Sequence, residues 1–223
     1  MARHTDRIEA GRAAASVHVE RIADRTRTMR ERHAPEAFER AFLGLALERG
    51  STGVTATDVI EASGYSRGSF YRYYADLYDL LEQLMSSEVE AYVWLVSRAV
   101  EQGLYLEREF DRVLCVANDL LIHVEDRLLF YRALFSSDVD CIGFEEFCSR
   151  AIACFRASGY RVMCEGAGEI DEDFYCYCTT RSFLMYIKYW VERGCSTPRE
   201  QLARQIASMS APESAGMRPR FLK

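Results

Sequence analysis

The chain has 223 residues, room for one large domain or two modest ones. With 49% hydrophobic and 28% charged residues, 13 Gly and 4 Pro, and no long uncharged apolar run, the composition excludes a disordered, fibrous or membrane-spanning chain. The net charge of −6 is uneven: residues 1–74 hold 12 Arg against 10 acids, whereas residues 75–223 hold 16 basic against 24 acidic residues, so the rear is unsuited to a polyanion.

Residues 1–32 form an Arg-rich leader, with eight Arg and five acids, that reads as a solvated tail or as an arm touching phosphate. No secretory signal is visible in it, so a soluble, cytoplasmic protein is expected. From Pro35 a helix is predicted, because Phe38, Ala41, Phe42, Leu45 and Ala46 recur at 3–4 spacing until Gly50 stops it. Thr55, with Asp58 three residues on, predicts a capped short helix in which Val59 and Ala62 face inward and Gly64 ends the run. After the turn Gly64-Tyr65-Ser66 a third short helix is predicted from Arg67 to Tyr74, capped by Ser66.

Asp76 opens a long helix through Leu77, Leu80, Leu81, Leu84, Val89 and Trp94, reaching about Ala99. Further helices are predicted near 108–123, 126–136, 142–158, 172–193 and 198–209, and residues 211–223 form a tail. The expected fold class is all-α. A three-helix unit over 33–80 precedes a helical bundle over 81–210.

Two short helices around a tight turn within 55–74 have helix-turn-helix spacing. In such a unit the first helix crosses the DNA backbone and the second enters the major groove. Phe70 and Tyr74, four apart, share an inward face, while Arg67 and Tyr71, also four apart, lie on another. Arg67 can donate to guanine or reach phosphate, and Tyr71 can donate its phenol proton to a phosphate oxygen.

The stretch from Thr55 to Tyr74 resembles the N-terminal domain of the TetR/AcrR-family transcriptional repressors. Thr55, Asp58, the aliphatic Val59, Gly64, Ser66 and the block Gly68-Ser69-Phe70-Tyr71-Arg72-Tyr73-Tyr74 carry the likeness, and Leu80-Leu81 matches the start of that family's long fourth helix. The likeness covers about residues 36–84. It implies DNA contacts at Thr55, Thr57, Arg67, Ser69, Tyr71 and Tyr73, with Gly68 and Arg72 on the same helix. Where the family usually opens its fourth helix with Lys, this chain has Leu77; Arg72, or Arg21, Arg25, Arg27, Arg30 and Arg32, could supply that cation.

The resemblance further implies a homodimeric repressor, bound to an inverted-repeat site in double-stranded DNA and released by a small effector. The rear half is dense in aromatic residues, which suits an apolar or aromatic ligand. Trp94, Phe130, Phe155 and Phe183 are candidates by helix position, with His123 and Arg181 to orient a polar group. Phe183, Ile187, Trp190, Val191, Leu202, Ile206 and Met209 form the apolar stripe expected at the dimer contact.

No Gly-rich nucleotide loop, H-E-x-x-H, G-x-S-x-G or ordered Cys/His pair is present, so no catalytic residue is assigned and no enzyme is expected. The eight cysteines form no C-x-x-C pair and the four histidines are scattered, so neither metal nor cofactor is expected. They read as buried, reduced thiols, with a redox or soft-metal role for Cys176 and Cys178 as the alternative. Two other classes stay open: a helical interaction protein that kept the motif without DNA binding, and a helical-bundle enzyme.

Overall fold

The computed structural model describes residues 33–103, 109–136, 142–157 and 171–210. The leader, the tail, Cys141 and Cys164 lie outside them. The described residues contain no strand. In chain order come α1 (33–49), a 3-10 turn at Ser51–Gly53, α2 (Ala56–Ser63), α3 (Arg67–Tyr73), α4 (Leu77–Gly103), α5 (Glu109–Asp126), α6 (Leu128–Phe135), α7 (Phe144–Ala157), α8 (Glu172–Glu192) and α9 (Arg199–Ser210).

Phe38 of α1 is the centre of the front unit. It is fully buried, and its ring stands edge-on to Phe70 at 5.2 Å and to Tyr74 at 6.2 Å, with Tyr65 at 5.5 Å. These contacts fix α3 against α1 and bury the face that Phe70 and Tyr74 were expected to share. The turn between α2 and α3 needs Gly64, whose φ of 72° lies in the left-handed region where a Cβ is disfavoured. Val59 and Ile60 fill the inner side of α2. Ala62 does not; it is exposed, because the short helix turns only one narrow face inward.

α4 joins front to rear. At 27 residues it is about 40 Å long, and Leu80, Leu84, Met85, Val89 and Tyr92 form its buried stripe. α5 packs on α4 and α9, α7 on α4 and α8, and α6 on α8. Between them runs a continuous file of rings: His123 to Tyr131 (5.8 Å), Tyr131 to Phe130 (5.4 Å), Phe130 to Phe147 (6.1 Å), Phe147 to Tyr92 (5.7 Å) and Tyr92 to Phe155 (6.2 Å). The Tyr131 hydroxyl is buried in this file without a hydrogen-bond partner.

Charged pairs brace the rear helices. Arg150 of α7 grips Glu82 of α4 with two bonds of 2.5 and 2.8 Å, and Arg181 of α8 grips Glu145 of α7 at 2.6 and 3.0 Å. Arg199 of α9 reaches Glu125 of α5 at 2.8 Å. The α8–α9 corner turns through Gly194 and Cys195, at φ 65° and 55°, and Trp190 closes it by donating to the Thr197 carbonyl at 2.8 Å.

Three further features differ from the sequence expectations. α4 continues four residues past Ala99. The break between α5 and α6 is a single residue, Arg127, at φ −112° and ψ 26°, with neither Gly nor Pro beside it. The stripe assigned to a dimer contact is largely consumed within the chain: Ile187, Trp190, Val191, Leu202 and Ile206 are buried because α8 packs on α6 and α7 and α9 packs on α5. Of that set Met209 stays exposed.

Candidate nucleic-acid interface

Each end of the α2–α3 unit is built by short-range hydrogen bonds. Thr55 and Asp58 form a reciprocal capping box: the Asp58 amide donates to the Thr55 hydroxyl at 3.2 Å, and the Asp58 carboxylate accepts from the Thr55 amide at 2.8 Å. The Thr55 hydroxyl proton also goes to Asp58, at 2.7 Å, and Arg49 of α1 closes on the same carboxylate at 2.9 Å. Those bonds, Thr55 first and Arg49 after it, hold the Asp58 carboxyl below the usual carboxylate range. Thr55 is thus occupied as a cap. Ser66 caps α3 by accepting from the Ser69 amide at 3.1 Å, and its hydroxyl lies 2.9 Å from that of Ser69.

The outer face of α3 carries two arginines and no acid. Arg67 is exposed, and its guanidinium donates to the Thr57 hydroxyl of α2 at 3.1 Å, so one helix aims the side chain of the other. One turn on, Tyr71 is 49% exposed, with its ring edge-on to Phe70 at 5.3 Å. Gly68 and Arg72 are also exposed, and nothing crowds the space a Cβ on Gly68 would take. Tyr73 is half-buried, and its carbonyl accepts from Gln83 at 3.3 Å. The eight residues expected to meet DNA therefore lie together on α2, its cap and α3. At the start of α4, Asp76 accepts from the Asp79 amide and Asp79 from the Ala75 amide, so carboxylates cap the end that Leu77 opens.

The six residues expected at an effector site do not gather around one opening. Trp94 is 56% exposed on α4. His123, Phe130 and Phe155 belong to the packed ring file. Arg181 is held by Glu145 and lies over the Tyr177 ring at 4.5 Å, and Phe183 packs against Tyr186. A cavity of about 440 Å³ opens on the outer face of α9, lined by residues such as Pro198, Gln201 and Arg204; none of the six lines it.

Sequence reasoning missed a charged cluster that joins front to rear. Glu88 of α4 is 2% exposed; it accepts from the Arg127 guanidinium and lies 3.0 Å from Nε2 of His123. Arg127 also donates to Glu39 of α1 at 3.0 Å. The signal was available in one place: Glu88 interrupts the apolar stripe of Met85, Val89 and Tyr92, a position where an acid needs a partner.

No family model matches the sequence, and no curated protein does. Solved structures do match in shape. A TetR-family transcriptional regulator from Syntrophomonas wolfei superposes with a TM-score of 0.58 at 15% identity, over 83% of this chain and 97% of that one. The fatty acid degradation regulator FadR from Bacillus halodurans gives 0.56 at 12% identity, over 79% and 94%. FadR from Bacillus subtilis, solved with stearoyl-CoA, gives 0.52 at 13% identity, over 79% and 97%. The chain has the all-helical fold of these TetR-type regulators. Among the described residues no helix is long and apolar enough to cross a membrane.

Proposed function

We propose that this chain is a DNA-binding transcriptional regulator, a repressor, that meets an inverted-repeat operator as a homodimer and is released by a small apolar or aromatic effector. One observation carries the reading: Arg67 and Tyr71 face outward from an acid-free helix, with Arg67 aimed by Thr57, on a chain with the fold of known regulators. In this reading residues 33–80 read DNA and 81–210 sense and dimerise. No residue is assigned a catalytic role, in keeping with neighbours that are regulators. FadR from Bacillus subtilis takes stearoyl-CoA on the same fold, which supports a rear unit able to receive an apolar effector.

Dimerisation is supported by the outer face of α8. Phe174, Cys178, Ser182, Met185 and Tyr189 recur at helical spacing there, and all are exposed. The stripe is symmetric about a midpoint between Arg181 and Ser182: Phe174 and Tyr189 are equally distant from it, as are Cys178 and Met185. Two copies crossing antiparallel would set Phe174 against Tyr189 and Cys178 against Met185 around Ser182, each contact made twice as in a two-fold interface.

Fluorescence anisotropy of the full-length protein with duplexes selected from a random pool tests the reading. Binding that weakens steeply with salt and discriminates selected from scrambled duplexes is expected. No binding to any duplex at low salt would leave the helical interaction module as the better account.

A further inference from the structure

Arg127 stands where three elements meet. Its amide donates to the His123 carbonyl at 2.9 Å, which ends α5, and its carbonyl accepts from the Phe130 and Tyr131 amides at 2.9 and 3.2 Å, which starts α6. Backbone on both sides thus fixes this residue to the α5–α6 break. Its side chain spans the two units, with Nε on Glu88 of α4 in the rear and Nη2 on Glu39 of α1 in the front. Glu39 follows Phe38 in α1, whose ring stands edge-on to Phe70 of α3 at 5.2 Å and to Tyr74 at 6.2 Å. One guanidinium thus joins the α5–α6 break to α4 and to α1, the helix on which α3 packs.

The two bonds of that guanidinium are unequal. Glu88 is almost wholly buried and also held by His123, so losing Arg127 would strand a carboxylate in the interior. Glu39 is more open to water, so its bond can break and be replaced by hydration.

We propose that Arg127 is a positioning residue for DNA recognition: its bond to Glu39 fixes the front unit on the rear bundle and so sets the half-site spacing that a dimer accepts. This rests on the DNA-binding reading above. Local sequence does not announce the Arg127–Glu39 bond, since the two residues lie 88 positions apart.

The test uses the full-length protein, a duplex it selects from a random pool, and the same duplex with one or two base pairs added or removed between half-sites. The parent is expected to lose about tenfold or more in affinity when spacing changes. Glu39→Gln keeps the Glu88 bond, and Arg127→Lys keeps the charge but not the fork; each should lose about threefold or less, and the double variant no more than either. Melting temperatures should stay close to the parent's. Variants that keep the parent's spacing penalty would overturn the proposal. If the parent selects no duplex, the DNA-binding reading fails instead, and hydrogen exchange decides on the latch: Glu39→Gln should speed exchange in 33–49 and leave 84–92 unchanged, and unaltered exchange in α1 would overturn it.

Discussion

In the proposed reading Arg67 would meet DNA already aimed, with one guanidinium N–H on Thr57 and the others left for a base edge. Replacing it with Ala should cost about 1–3 kcal/mol in operator binding and relax preference at one position of each half-site. Thr57→Val should relax the same position with a smaller loss of affinity, because the cation remains and only its aim is lost. Tyr71→Phe removes a phenol proton and no charge, so it should weaken all sequences about equally and leave the salt slope nearly unchanged. Anisotropy against single-base variants of the selected duplex, at several salt concentrations, separates the three. The shared outward placement of Arg67 and Tyr71 was legible because types and spacing within one short stretch carry it. The Thr57–Arg67 bond was not, since it crosses a turn whose geometry the residue pattern leaves open.

α7 is tied to its neighbours in part by acids whose protonation would weaken the pairs with Arg150 and Arg181. The carboxyls of Glu82 and Glu145 are held below the usual range, first by hydrogen bonds from Arg150 and Arg181. A depressed carboxyl contributes stability that is fully present above its unfolded pKa of about 4.3 and is lost as pH falls through the folded value. The melting temperature should therefore be flat from about pH 7 to 5 and fall below about pH 4. In a Glu82→Gln, Glu145→Gln variant it should start lower and fall less over the acid range; an identical acid slope would show that these pairs contribute nothing. At this scale the chain was most readable where local signals agree. Gly50, the Thr55–Asp58 box and Gly64 set the ends of α1 and α2 as expected. The α5–α6 break was hardest to read, because a side chain drawn to Glu39 and Glu88 marks it and no turn-forming residue does.

For the whole molecule, the outer face of α8 predicts a dimer that a buried charge would split. Met185→Glu or Tyr189→Glu should give a monomer by light scattering at micromolar concentration, with helical content unchanged. A parent that is itself monomeric there would remove the two-fold contact and with it the paired recognition helices. The stripe expected from sequence is mostly covered within the chain, since apolar residues on α8 and α9 do not say whether their own chain or a second copy covers them. The filled ring file has a different consequence. Six aromatic side chains from His123 to Phe155 already occupy the rear interior, so a ligand entering there can bind only the fraction of molecules in which the file has parted. Its apparent affinity is its intrinsic affinity multiplied by that fraction. Phe155, 8% exposed at one end of the file, is the ring whose removal would open it beforehand. Phe155→Ala should lower stability by about 3–5 kcal/mol. Within a panel of aromatic and acyl-chain compounds, those that raise the parent's melting temperature should raise this variant's by more. Sensitivity to an effector would then be set by how reluctantly the empty protein opens, and a regulator could be retuned to scarcer ligand without altering any group that touches it.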